Sequence, residues 1–323
     1  MPYAGLSDEL ISRGYVVKQL PIGQGYKQYI APNGKVAITK ARLYEYPFIS
    51  RITKTISQDK ELSYAFARLL DVVVPETLRT TSFEQANAFL AKYGRVITKP
   101  TKLGGSKGIT LNITRPEQLN EAILHATFDD EPPLIQEQFV GEEVRFTVIR
   151  GKVHSVVLRQ TPRVVGDGQK TVAELIKAEN KARESLVFPL RTYAQLSSEI
   201  IPEHFITDSR VLAESEVQEL SLATSFATGA SFYGVLNTTH ASYIEIAERL
   251  AARLNPHFLV VDLMINNRQS PAAPGNYIFL EFNTAPTLAV YTSLRDGDTP
   301  DVIAKIADLI DEYSKLSQLR LTD

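Results

Sequence analysis

Three oxygen-bearing side chains in the last quarter of the chain are patterned to hold a hard metal cation. Asp262 interrupts the apolar run from Phe258 to Ile265, where an isolated carboxylate is costly to bury unless a cation compensates it. Glu281 and Asn283 stand two apart in Tyr277-Ile-Phe-Leu-Glu-Phe-Asn, so in a strand both face the same side. One carboxylate from each of two neighbouring strands plus an amide oxygen favours magnesium or manganese over zinc. The alternative is that Asp262 caps a turn and Glu281 meets an arginine.

A second constellation lies upstream, in Arg95-Val-Ile-Thr-Lys-Pro-Thr-Lys-Leu-Gly-Gly-Ser-Lys-Gly-Ile-Thr-Leu-Asn-Ile. An apolar strand ends in Lys99, a glycine-rich loop follows, and a β-branched strand comes next. Gly104, Gly105 and Gly108 let backbone N–H groups approach an anion, Ser106 sits among them, and Lys99 and Lys107 add point charges. The Gly-x-x-x-x-Gly-Lys-Ser/Thr pattern is absent. The segment alone fits either a phosphate grip or a plain hairpin turn.

These groups need elements to position them, and the chain is long enough to supply two or three domains at 323 residues. A formal charge of −2 gives no cationic field for nucleic acid. The absence of cysteine excludes disulfides, thiolate metal sites and a cysteine nucleophile. No apolar run reaches membrane-spanning length and the start has no secretion signal, so a cytoplasmic protein with no membrane partner is expected.

Strand and helix patterns interleave, which predicts a mixed α/β (α+β) protein. Residues 1–57 read as short segments with β-rich pieces at Tyr15–Lys18 and Val36–Thr39. An amphipathic helix is expected over Asp59–Leu70, then a short strand at Val72-Val-Val that ends at Pro75. Ser82 with Gln85 opens a helix that Gly94 stops, and Pro116 opens another that runs to Ala126. Strands follow at Leu134–Glu137, Val144–Arg150 and Val153–Arg159, the last two joined at Gly151-Lys152. Thr171 caps a helix, residues 182–240 are less regular, and Tyr243–Leu254 and Val302–Leu316 are helices around the two metal-bearing strands.

A lysine-and-glycine grip followed by Asp…Glu-x-Asn resembles the ATP-grasp superfamily over roughly residues 58–310. The resemblance implies two α+β subdomains clamping a nucleotide, with a shortened N-terminal domain: residues 1–57, a lid subdomain 58–138 and a C-terminal subdomain 139–323. It implies that Lys60 and Lys99 bind nucleotide and that Asp262, Glu281 and Asn283 bind magnesium, with manganese as substitute. Ile135-Gln-Glu-Gln-Phe-Val-Gly-Glu-Glu-Val-Arg resembles the adenine hinge, with Glu137, Gln138, Phe139 and Val140 at the base and Glu143 at the ribose.

Leu158-Arg-Gln-Thr-Pro-Arg-Val-Val-Gly-Asp-Gly…Thr-Val-Ala-Glu-Leu-Ile is similar to a segment of the ligase region of cyanophycin synthetases and bifunctional glutathione synthetases. Phe226-Ala-Thr-Gly-Ala-Ser followed by Asn237 is similar to their Ser-Thr-Gly-Gly segment, which nominates Thr228, Gly229 and Asn237, with Arg163, for substrate. Arg145 and Arg159 are implied to stabilise the transferring phosphoryl group or hold substrate carboxylate. The implied reaction joins a small-molecule carboxylate and an amine, on amino acids or short peptides, with ATP through an acyl phosphate. Gly105 and Ala285-Pro286-Thr287 depart from the family pattern, so substrate identity is not carried over. Two rivals stand beside it: a ligase closing links in a ribosomal precursor peptide, and a nucleotide-binding regulator without turnover. The short N-terminal part also allows a homo-oligomer in which a second copy completes the site.

Overall fold

The computed structural model describes residues 4–21, 26–40, 48–102, 108–186, 193–298 and 300–316. Helix α1 (Ala4–Ser12) leads into a three-stranded antiparallel sheet of β1 (Val16–Gln19), β2 (Tyr26–Ile30) and β3 (Val36–Lys40). Helix α1 and the following α2 (Arg51–Gln58) lie in a stretch read from sequence as short and β-rich. Each has only two or three turns, too short for a periodic signal to stand out. Asp59 ends α2 and caps α3 (Lys60–Arg68), its carboxylate accepting from the backbone N–H of Glu61 and Leu62.

The strand expected at Val72-Val-Val is instead irregular chain, and β4 (Thr77–Arg79) begins only after Pro75. The Val73 carbonyl accepts from the Phe279 N–H at 2.8 Å, tying the segment to a later strand without a ladder. Next come α4 (Phe83–Tyr93), β5 (Val96–Lys99), β6 (Thr110–Ile113), α5 (Pro116–Ala126) and β7 (Leu134–Glu137). They form a four-stranded sheet in the order β4-β7-β5-β6, with Ala86, Leu90, Leu119 and Ile123 of the helices packed on Val96, Ile113 and Ile135. This unit has its own apolar core.

Strands β8 (Glu142–Ile149) and β9 (Lys152–Gln160) make a hairpin whose turn is Arg150-Gly151, one residue earlier than expected. Both residues have positive φ, 50° and 72°, the pairing that matches strand twist in a two-residue turn. Then follow β10 (Arg163–Val165), α6 (Val172–Ser185), α7 (Glu203–Ile206), β11 (Val217–Glu219), β12 (Ser231–Gly234), α8 (Ala241–Leu254), β13 (Phe258–Ile265), β14 (Tyr277–Asn283), α9 (Ala289–Thr292), β15 (Asp296–Gly297) and α10 (Val302–Leu316). Thr171 and Glu174 close the capping box on α6.

The large sheet runs β14-β13-β8-β9-β12-β15. One face packs Phe146, Val156, Leu259 and Val261 against Tyr243, Leu250 and Ala251 of α8 and Tyr64 and Ala67 of α3. The buried face of α3 therefore shares the core of the large sheet. On the other face Val157, Phe232 and Val260 pack with Leu6, Leu10, Val302 and Ile306, so the first and last helices cover one layer together. Arg145, Arg159 and Asp262 alternate with the strand residues of the α8 side and lie on this second face.

Candidate active site

Strand register assembles the site. Asp262 sits opposite Glu281 on β14 and opposite Arg145 on β8, while Glu143 sits opposite Arg159 on β9. A bulge after Asp262 breaks the β13–β14 register there, a device that re-aims side chains. The Arg145 guanidinium donates to both carboxylate oxygens of Asp262, Nε to Oδ1 at 2.8 Å and Nη2 to Oδ2 at 2.6 Å. The two side chains are only 7% and 1% exposed. This is the compensating cation that the apolar setting of Asp262 demanded, and it comes from β8.

Arg159 lies 3.7 Å from the same Asp262 oxygen, forms an ion pair with Glu143, and donates to the Thr224 carbonyl through Nε at 3.0 Å and Nη2 at 2.7 Å. The Thr224 hydroxyl donates to the other Glu143 oxygen. Burial holds the Glu143 carboxyl above its usual range, opposed by Arg159 and reinforced by the nearby Asp262 charge. Burial alone would lower the Arg145 pKa, but Asp262 outweighs it and raises it. Thr147, two residues along β8 from Arg145, exchanges a 2.7 Å hydrogen bond with the Tyr291 hydroxyl, which burial pushes up to about 12.

The two lysines converge where the smaller sheet meets the larger. Lys99 is buried at the end of β5 and donates to the Tyr64 hydroxyl at 2.6 Å; burial lowers its pKa to about 8 while Glu281 opposes the shift. Lys60 is half-buried at the start of α3. Its pKa is lowered first by burial and then by the Lys99 charge, with Glu281 again opposing. Both lysines thus lie in the field of Glu281, and Lys60 in that of Lys99. Tyr64, pushed up to about 12 by burial, passes the link on to Gln136, which donates to Thr77 at 2.7 Å.

Other expected residues are placed less directly. Glu137 accepts from the Glu76 N–H at 3.3 Å, and the Gln138 amide is locked onto the Asn112 backbone and side chain at 2.7 and 2.9 Å. Phe139 is half-buried and Val140 is 66% exposed. Glu143 is turned toward Arg159 and Thr224. Thr228 spends its hydroxyl inside its own turn on Ser225, the Gly229 carbonyl accepts from Arg183, and Asn237 binds Asp298. Arg163 lies on the separate β10–β11 ribbon, 3.3 Å from Glu219, with its Nε buried and unpartnered among the described residues. Gly104, Gly105, Ser106 and Lys107 fall outside the described residues.

For a divalent cation the donor chemistry fits: Asp262, Glu281 and Asn283 are oxygen donors on facing or adjacent strand positions. Their engagement is unequal. Both Asp262 oxygens are occupied by Arg145, the Asn283 Oδ1 accepts the Ala285 N–H at 2.8 Å, and Glu281 is half-buried between strand and lysines. Among the described residues no group of three His, Cys, Asp or Glu side chains is gathered for a metal.

Sequence reasoning missed Tyr64, Gln136, Thr224 and Tyr291. Tyr64 was within reach of a pattern argument, because it follows Lys60 by four residues on one helix and shares its face. Thr224 and Tyr291 carry no local signal; they reach the site only through the fold.

No family model matches the chain. It is 26% identical over 250 residues to the glutathione biosynthesis bifunctional protein of Streptococcus thermophilus, covering 73% of this chain and 33% of that protein. It is 22% identical over 268 residues to the cyanophycin synthetase of Crocosphaera subtropica, covering 80% and 30%. The chain therefore spans about a third of the length of these curated relatives. Among solved structures, the bifunctional glutathione synthetase of Pasteurella multocida superposes with a TM-score of 0.68 at 22% identity, over 96% of this chain and 43% of that one. A D-alanine–D-alanine ligase from Bacillus anthracis superposes with a TM-score of 0.50 at 14% identity, over 83% and 70%.

Proposed function

We propose that this chain, which has the ATP-grasp fold, uses ATP to join a carboxylate to an amine through an acyl phosphate, on amino acids or short peptides. The observation that carries the reading is the grouping of Lys60, Lys99 and Glu281 where the two sheets meet, one strand from the Arg145–Asp262 pair. Lysines suited to a triphosphate and carboxylates suited to its metal lie on neighbouring elements, which supports this reading.

In this reading Lys60 and Lys99 neutralise phosphate oxygens, and Phe139 and Val140 offer apolar surface to the base. Asp262, Glu281 and Asn283 would hold magnesium, which would supply charge screening for the transferring phosphate. An oxygen of the substrate carboxylate attacks the γ-phosphorus in line, the bond to the β–γ bridging oxygen breaks, and ADP leaves. The amine nitrogen then attacks the acyl carbon, phosphate departs with the bonding pair, and the ammonium proton is released. Arg145 and Arg159 stand on the face where charge builds on the transferring group. The unit of β4 to β7, with its separate core, serves as the lid that keeps water from the acyl phosphate.

The test is a paired screen of amino acids and dipeptides with magnesium and ATP, scored by phosphate release and by product mass. Release of ADP and phosphate only when both co-substrates are present supports the reading. Phosphate release indifferent to any amine, with no condensation product across the screen, rejects it.

A further inference from the structure

The carboxylates of the site are already engaged by cations of the chain, which bears on how metal enters. Arg145 and Arg159 face Asp262 and Glu143, while Glu281 acts on Lys60 and Lys99 and Asp59 acts on Lys60 as well. The carboxylate nearest the centre is also the least available, since Arg145 forks onto both Asp262 oxygens and the pair is almost wholly buried.

We infer that Arg145 is a counterion latch on Asp262: it excludes a free divalent cation, so that metal enters only together with nucleotide. This rests on the metal site of the proposed function and adds its regulation. A hydrated cation arriving alone would have to displace a bidentate guanidinium from a buried carboxylate and leave that guanidinium buried beside a dication, with Arg159 3.7 Å from the same oxygen. Breaking a buried pair without a substitute is strongly unfavourable. Nucleotide phosphates remove the obstacle, because they bring the anion that Arg145 needs when it releases Asp262. The released arginine is then free to face the phosphoryl group, so arrival of metal with nucleotide and arming of Arg145 become one event.

The experiment measures binding of Mn2+ by electron paramagnetic resonance on the full chain, with and without a non-hydrolysable ATP analogue. Wild type takes up Mn2+ well only with the analogue present. Arg145→Gln binds nucleotide-free Mn2+ more tightly by about tenfold or more, because a unit charge within contact distance of the carboxylate is gone. Adding Asp262→Asn to Arg145→Gln removes that gain, and Mn2+ alone raises the melting temperature of Arg145→Gln but not of wild type. Wild type binding free Mn2+ as tightly as Arg145→Gln overturns the latch. Should Arg145→Gln fail to fold, Arg145→Lys, which keeps the charge but loses the fork, gives a smaller gain over wild type; no gain there overturns the latch equally. Asp262→Asn alone separates the two readings. If it leaves Mn2+ uptake with the analogue intact, the metal assignment has failed; if it abolishes that uptake while Arg145→Gln shows no gain, only the latch has.

Discussion

Asp262 and Arg145 each make the other's burial tolerable, so neither can be altered alone without leaving a stranded charge. Asp262→Ala should therefore abolish ligation and also cost about 3–5 kcal/mol in stability, measured by urea unfolding; a loss of activity with unchanged stability would contradict the pairing. Lys99 makes a prediction in pH. Its pKa falls from the ordinary 10.5 to about 8 in the folded chain, so between those values the unfolded chain binds more protons. Stability then rises with pH across that window relative to a Lys99→Met variant, and the contribution is lost as pH falls through 8. If Lys99 pairs with phosphate as proposed, nucleotide affinity should move the opposite way, weakening above pH 8 as its ammonium discharges, and titration calorimetry across pH 7 to 9 checks both variants. Tyr64→Phe deprives that ammonium of its 2.6 Å acceptor, with an expected cost of about 1–3 kcal/mol.

Strands and their junctions decide how these side chains meet. β8 carries Glu143, Arg145 and Thr147 on one face, and its register against β13 and β9 delivers Asp262 and Arg159 to them. A slip of one residue in β8 would turn Glu143, Arg145 and Thr147 to the other face, away from Asp262 and Arg159. The passage from β7 into β8 runs through Gly141, where a Cβ would stand 2.5 Å from the Ile265 carbonyl oxygen at the end of β13. Gly141→Ala must push the β7–β8 junction away from the end of β13, with an expected loss of about 1–3 kcal/mol. A thermal melt reads that loss, and an unchanged midpoint would mean that the junction yields freely.

At the scale of the whole molecule, the two sheets are buried to different extents. The large sheet is covered on both faces, by α8 with α3 and by α1 with α10, whereas the four-stranded unit keeps a small core of its own. Elements with fewer buried partners open at lower free energy. Amide exchange should therefore be faster in β5 and β6 than in β8 and β13 without nucleotide, and should slow in β5 and β6 when an ATP analogue with magnesium binds. Equal protection of both sheets in the two states would argue against a closing lid.

Local pattern was enough for much of this. Alternation in Val144–Arg150 and Val153–Arg159, the apolar runs around Asp262 and Glu281, the Ser82 and Thr171 caps and Pro116 at a helix start all describe neighbours in the chain, and neighbours in the chain set strand and helix. The ordered lysines, glycines and Asp…Glu-x-Asn likewise sufficed for the fold family. What sequence left open was which charge faces which: Asp262 meeting Arg145, Glu143 turning to Arg159 and Thr224, and Tyr64 taking Lys99 all depend on contacts across 35 or more positions or on strand register. Register and burial are properties of the assembled sheets, since a buried charge chooses its partner only once water is gone and the nearest opposite charge is fixed by the strand beside it.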